Sequence, residues 1–272
     1  MKIVIPMAGR GSRFLDVADQ NPEYKKPKPL ISIKGKPMVL WAVESLPFVH
    51  LSHRPSKHKI KVFPSQLIFI CRADHHKDFK IADELRKLFS KDIKIILIDK
   101  ITRGATETVL KAKGFINTDE DMIVSDSDHF FDGRFLYRKI LKKDVGTMGI
   151  IPVWRPPDKE PKWSYALVKK GHRIIAVGEK DRALMEMGAY ANIGGYYFSS
   201  GKIFTKEAEA MISENDLYGD EGKKEFYIAP LYQRLIKKGH KIVAAITPKV
   251  WGLGTPKDVE YFEKNYKLKD IS

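Results

Sequence analysis

The sequence predicts an α/β protein built on a mixed, mostly parallel central sheet flanked by helices, and three observations point there. Short apolar runs alternate with helix-length segments through the first half of the chain. The 272 residues are enough to bury one large core. No internal repeat or low-complexity tract breaks them up.

The elements follow in order. Residues 3–7 form an apolar strand that runs into the glycine-rich loop Gly9-Arg10-Gly11-Ser12-Arg13. Residues 37–46 read as a helix opened by Pro37, and 47–64, rich in Pro, Ser, His and Lys, as an irregular connection. Strands at 66–71 and 93–98 flank a helix at 78–89; a helix at 105–115 leads to a strand at 122–125. Alternation of this kind winds a right-handed parallel sheet. After Gly146 the texture changes. Strands are expected at 147–153, 164–168, 173–178 and 191–198, helices at 202–213 and 225–237, then a strand at 241–246 and a last helix at 256–265. The chain thus reads as one domain of two halves, 1–145 for a nucleotide and 146–272 for an acceptor, sharing one sheet.

Composition narrows the function. With 49 Lys plus Arg against 34 Asp plus Glu, the net charge is +15. That excess suits nucleic acid, an anionic surface or small polyanions, or simply a solvated lysine-rich surface. The basic residues are spread along the chain, with no zinc-finger, basic-zipper or RNA-binding signature, which argues against nucleic acid. Cys71 is the only cysteine, so the sequence holds no intrachain disulfide and no cysteine zinc site. The longest apolar runs are too short to cross a bilayer, and the chain opens on strand-like residues rather than a signal peptide. The expectation is a cytoplasmic protein with no membrane partner.

Three segments carry candidate chemistry. In the 9–13 loop, glycines let backbone N–H groups approach a phosphate closely. The dinucleotide fingerprint would need a third glycine where Phe14 stands, and the Walker spacing is absent. A lone Gly-x-Gly is also a tight turn; Arg13 beside it and Lys28 downstream favour the phosphate. In Lys25-Lys26-Pro27-Lys28-Pro29-Leu30, the prolines hold an extended segment that fixes Lys28, where a cation neutralises a leaving pyrophosphate. Lys25 and Lys26 read as surface. In Ser125-Asp126-Ser127-Asp128-His129, the carboxylates end a parallel strand, where open α/β sheets bind ligands and where Mg2+ finds hard oxygen donors. Asp128 is the stronger metal candidate. Asp126 also suits a cap or turn, and His129 reads as a neighbour.

These residues, in order, resemble the sugar-phosphate nucleotidylyltransferase family. The likeness runs from Ile3-Val4-Ile5-Pro6-Met7-Ala8-Gly9 to Arg13, through Lys28-Pro29-Leu30 and Gly35-Lys36-Pro37-Met38, to Arg103-Gly104-Ala105-Thr106. It continues through Asp128, Gly178-Glu179-Lys180 and Ile193-Gly194-Gly195-Tyr196 to Trp251-Gly252-Leu253-Gly254-Thr255-Pro256. The resemblance implies a Rossmann-like GT-A fold that joins an NTP to a phosphorylated acceptor and releases pyrophosphate. It implies that Ala8, Gly9, Gly11, Ser12 and Arg13 wrap the triphosphate, with Arg13 and Lys28 catalytic. Gly104, Ala105 and Thr106 would lie near base and ribose, Asp128 with Asp126 would hold Mg2+, and Glu179 with Lys180 would meet the acceptor. Tyr165 and Asn192 are further candidates for lining the acceptor pocket, where aromatic residues equally suit core.

Many members carry a metal-binding aspartate where Gly252 stands; Glu225 and Asp220 are candidate substitutes. The Trp-Gly-Leu-Gly-Thr-Pro segment resembles a subgroup associated with capsule and surface-polymer genes and with some cytidylyltransferases. CTP, UTP and GTP users share these motifs, and acceptors extend from sugar 1-phosphates to phosphocholine. A GT-A glycosyltransferase, for which Asp126-Ser127-Asp128 would be the metal motif, and a non-catalytic nucleotide-binding protein are the rival readings.

Overall fold

The structure is a computed structural model that describes residues 1–157 and 160–267. Fourteen strands are defined among them: β1 Lys2–Met7, β2 Ser32–Ile33, β3 Lys36–Pro37, β4 Leu67–Arg72, β5 Lys94–Ile98, β6 Met122–Ser125, β7 His129–Phe131, β8 Thr147–Trp154, β9 Ser164–Val168, β10 Arg173–Glu179, β11 Tyr190–Asn192, β12 Gly195–Phe198, β13 Lys241–Ile246 and β14 Val250–Gly252. Ten of them make one sheet in the order β11-β9-β10-β13-β8-β12-β6-β1-β4-β5. This is a mixed α/β sheet of Rossmann-like type.

Parallel pairing holds β6, β1, β4 and β5 together and recurs at β8–β13. The other neighbours run antiparallel. Connection length explains the difference. The Lys170–His172 turn between β9 and β10 is too short for a crossover, so the two strands fold back as a hairpin. In the N-terminal half, long helical connections permit parallel neighbours.

Alternation along the strands buries both faces. Ile3, Ile5, Leu67 and Phe69 face one layer, covered by Val39, Val43, Leu85, Leu136 and Ile140. Val4, Ile68, Ile70 and Val124 face the other, under Val109, Ile116, Phe204, Met211 and Leu235. Strands covered on both sides need near-continuous apolar sequence, which is what residues 3–5 and 67–71 supply.

Four expected elements differ. The helix expected at 78–89 is two, Ala73–Phe79 and Ile81–Leu88, broken where Lys80 adopts a left-handed φ of 51°. The one expected at 105–115 ends at Leu110 and resumes at Lys113–Ile116. The strand expected at 191–198 divides into β11 and β12 at Gly194, whose φ is +85°. The helix expected from Glu225 begins at Ala229, with proline in its first turn, because Glu225 instead pairs backbone to backbone with Tyr218. The helix Arg134–Leu141 and the β7–β14 pair were not anticipated. Among the described residues no helix is long and apolar enough to cross a membrane.

Candidate active site

Strand order reverses beside β1: the chain passes to β4 and β5 on one side, then returns to place β6 on the other. Loops leaving the carboxyl ends of β1 and β6 therefore diverge and leave a crevice, the position where open α/β sheets bind ligands. A cleft of about 390 Å³ lies there, lined by Gly9, Gly11, Ser12, Arg13, Lys28, Asp126, Asp128, Glu225 and Gly254 among others.

The glycine loop enters it directly from β1. Gly11 takes a φ of +67° and starts the short helix Ser12–Leu15, which turns Phe14 down into the protein and leaves Arg13 exposed at the cleft. Phe14 packs edge-on against Tyr24, with ring centroids 5.1 Å apart, so the segment before Lys28 is pinned to the loop. Ala8 is buried beneath it. Phe14, Tyr24, Ile31, Trp41, Phe130, Trp251, Leu253 and Phe262 form one apolar cluster. It supports the glycine loop, the Lys28 segment, β7 and the Gly254 turn together.

Across the cleft, Asp126 and Asp128 follow β6. The Asp126 N–H donates to the Gly194 carbonyl (2.8 Å), and the Leu253 N–H donates to the Asp128 carbonyl (2.8 Å). β14 pairs antiparallel with β7, placing Gly252 opposite His129. The Asp128 loop is thus held from both sides. Lys28 Nζ donates to Asp128 Oδ2 at 2.5 Å. Burial works against the Asp128 charge, but Lys28 wins and holds its pKa below the ordinary value of 3.8. Asp126 is driven the other way, well upward, by burial and by the Asp128 charge beside it. A cation placed between the two carboxyls would favour the charged form of both. Ligand atoms of Asp126, Asp128 and His129 all lie within 4.8 Å of one another. The donor set fits a divalent ion.

Burial pushes the Glu179 carboxyl up to about 7, against the Ser164 hydrogen bond and the charge of Lys180, which pull it down. Its charge is among those that raise the Asp126 pKa, though Glu179 is not among the residues lining the cleft. Lys180, at a φ of 52°, donates to Asp220 Oδ2 at 2.7 Å. Asp220 and Glu225 lie on one segment, and Glu225 reaches the cleft while Asp220 holds Lys180.

Other anticipated residues are spent elsewhere. Thr106 is fully buried and donates its hydroxyl to the Tyr227 carbonyl (2.7 Å). Gly104, at φ +142°, has the Phe226 backbone 2.5 Å from where a Cβ would sit; Ala105 follows as the first residue of the helix Ala105–Leu110. None of these three is among the residues lining the cleft. Tyr165 is 1% exposed and donates to the Glu160 carbonyl (2.5 Å), while Asn192 Nδ2 donates to Ser164 Oγ (2.9 Å). Asn192 therefore reaches Glu179 only through Ser164.

Sequence reasoning missed two neighbours. A Cβ at Gly252 would lie 3.6 Å from the Asp258 carboxyl, so Asp258, whose Oδ2 accepts from Thr255 Oγ1 (2.6 Å), occupies that surrounding. Thr255 and Asp258 signal only a helix cap in sequence. Gly194 is the other: a Cβ there would meet Asp126 Oδ2 at 2.3 Å. Its place inside the strand expected at 191–198 gave no such hint.

The chain matches no curated protein in sequence. In structure it is similar to the nucleoside-diphosphate-sugar pyrophosphorylase of Vibrio cholerae RC9, with a TM-score of 0.70 at 22% identity over 97% of this chain and 100% of that one. The inositol-1-phosphate CTP transferase of T. maritima superposes with a TM-score of 0.66 at 14% identity, covering 97% and 96% of the two chains. A UDP-glucose pyrophosphorylase complexed with UDP-glucose gives 0.67 at 16% identity, covering 97% of each. Likeness at these identities concerns the fold. Membership rests on sequence, where residues 2–269 match the Nucleotidyl transferase family model. The chain belongs to the nucleotidyl transferase family.

Proposed function

We propose that the protein joins an NTP (CTP, UTP or GTP) to a phosphorylated small-molecule acceptor, a sugar 1-phosphate foremost, and releases pyrophosphate. One observation carries this: a glycine loop, Arg13 and Lys28 meet two acidic side chains in a single cleft at the strand reversal. That set suits a triphosphate whose tail departs as pyrophosphate. Backbone N–H groups of the 9–13 loop bind the tail, and Arg13 and Lys28 neutralise it. An oxygen of the acceptor phosphate forms the new bond to the α-phosphorus as the α–β bridging bond breaks. Phosphate monoesters are nucleophilic at neutral pH, so no general base is required; catalysis consists of positioning and charge neutralisation.

Asp126 and Asp128 would hold the divalent cation, Mg2+ by the sequence reading, which when bound offsets phosphate charge. Glu179 and Lys180 take the acceptor, with Lys180 leaving Asp220 for the acceptor phosphate. Gly104, Ala105 and Thr106 act near the base by positioning the backbone behind the cleft, since the Thr106 hydroxyl already donates to the Tyr227 carbonyl. Tyr165 and Asn192 support the acceptor side from below, Asn192 through Ser164. The likeness of the Trp251–Pro256 segment to the capsule-associated subgroup supports a role in surface-polysaccharide assembly. Among the similar structures, the inositol 1-phosphate in the name of one supports a phosphorylated acceptor, and the UDP-glucose bound to another is the kind of product such a transfer gives.

One matrix tests this: four NTPs against sugar 1-phosphates, inositol 1-phosphate and phosphocholine, with divalent cation, reading pyrophosphate. Release with a small set of pairs is expected. Silence across the matrix, with nucleotide still bound, contradicts it in favour of a non-catalytic nucleotide binder.

A further inference from the structure

His129 is 4% exposed, and both of its ring nitrogens are buried with no hydrogen-bond partner among the described residues. Buried polar atoms in native proteins are almost always paired. A histidine whose nitrogens are both orphaned beside two carboxyls therefore lacks a partner that the chain itself does not supply. The surroundings say what kind. Nδ1 lies 3.1 Å, and Asp126 Oδ2 2.3 Å, from the point where Gly194 would carry a Cβ, so both converge on space that only glycine leaves open. The ring also packs against Phe131, with centroids 5.3 Å apart, and β7 is clamped by β14. The imidazole is fixed in place, facing the acids.

We propose that His129 is the third protein ligand of the divalent ion held by Asp126 and Asp128, and that the site consequently favours Mn2+ over Mg2+. This rests on the assignment of the two aspartates to a cation above. Mg2+ prefers oxygen donors throughout, whereas an imidazole nitrogen in the set shifts preference to first-row transition ions. Binding through one nitrogen places the ring proton on the other and so fixes the tautomer. Sequence alone made His129 a bystander, because spacing does not reveal that its nitrogens are unpaired.

The test uses the full chain with Mn2+ alone as probe, followed by electron spin-echo spectroscopy. Modulation from a directly bound imidazole nitrogen is expected in the parent and absent in His129→Gln. Mn2+ affinity in that variant should fall about tenfold or more, while Mg2+ affinity, measured by competition, stays near the parent's because the glutamine oxygen suits it. Mn2+ bound without nitrogen modulation, or with modulation that survives in His129→Gln, overturns the proposal and leaves the aspartate site standing. Mn2+ that binds parent and Asp128→Asn equally weakly overturns both. The parent spectrum decides the matter even if the variant unfolds.

Discussion

Asp128→Ala is expected to lower pyrophosphate release by about 10²–10³, the range seen when one preorganised charge-stabilising group is removed. Two losses combine. The carboxylate that most readily stays charged in the cleft disappears, and Lys28 loses the partner that holds its ammonium in place. The fold should survive, because Asp128 contributes its backbone carbonyl, not its side chain, to the Leu253 contact. Removing the Asp128 charge also relieves Asp126, whose carboxyl then ionises more easily and balances Lys28 in part. Arg13→Ala and Lys28→Ala should show losses of the same order by removing the charges that face the leaving tail. Steady-state pyrophosphate assays with far-ultraviolet circular dichroism separate turnover from folding. Near-normal turnover in all three variants contradicts the assignment.

Trp41→Ala is expected to cost about 3–5 kcal/mol of stability, the usual toll for emptying a large aromatic site. Trp41 is 4% exposed and meets Phe130, Phe262 and Tyr266 edge-on, at centroid distances of 5.0, 5.1 and 5.3 Å. Its indole N–H donates to the Ile33 carbonyl (2.9 Å). Alanine would leave a cavity between the C-terminal helix and β7 and orphan that carbonyl. Trp41→Phe keeps most of the packing and should lose little more than the cost of leaving the Ile33 carbonyl unpaired, about 1–3 kcal/mol. Denaturant titration of both variants gives the comparison; equal losses would mean that packing at this cluster is not what holds it. The same cluster carries the glycine loop and the Asp128 strand, so turnover in Trp41→Ala should fall along with stability.

The contrast between legible and hidden features is physical. Residues 3–7 and 67–71 announced their strands because burial on both faces demands unbroken apolar sequence. The glycine loop and Asp128 were legible because both stand at strand ends, where backbone direction alone sends them to the crevice. The break at Lys80 was hidden, since a left-handed lysine carries no glycine or proline to mark it. β7 and β14 were hidden because each is three residues long and its partner lies more than a hundred residues away. Thr106 was expected at the site by resemblance, and only the structure shows its hydroxyl spent inside the protein: Gly104 lets the chain approach Phe226, and Thr106 Oγ1 donates to the Tyr227 carbonyl next to it. His129 needed three-dimensional neighbours before its unpaired nitrogens meant anything.

The most direct measurement is a crystal structure of the protein soaked with a non-hydrolysable NTP and divalent cation. The triphosphate should lie on the backbone N–H groups of residues 9–13, with Arg13 and Lys28 on its β- and γ-phosphates and Lys28 drawn off Asp128. Phosphates bound away from that loop, with the Lys28–Asp128 pair intact, would contradict the assignment of this cleft.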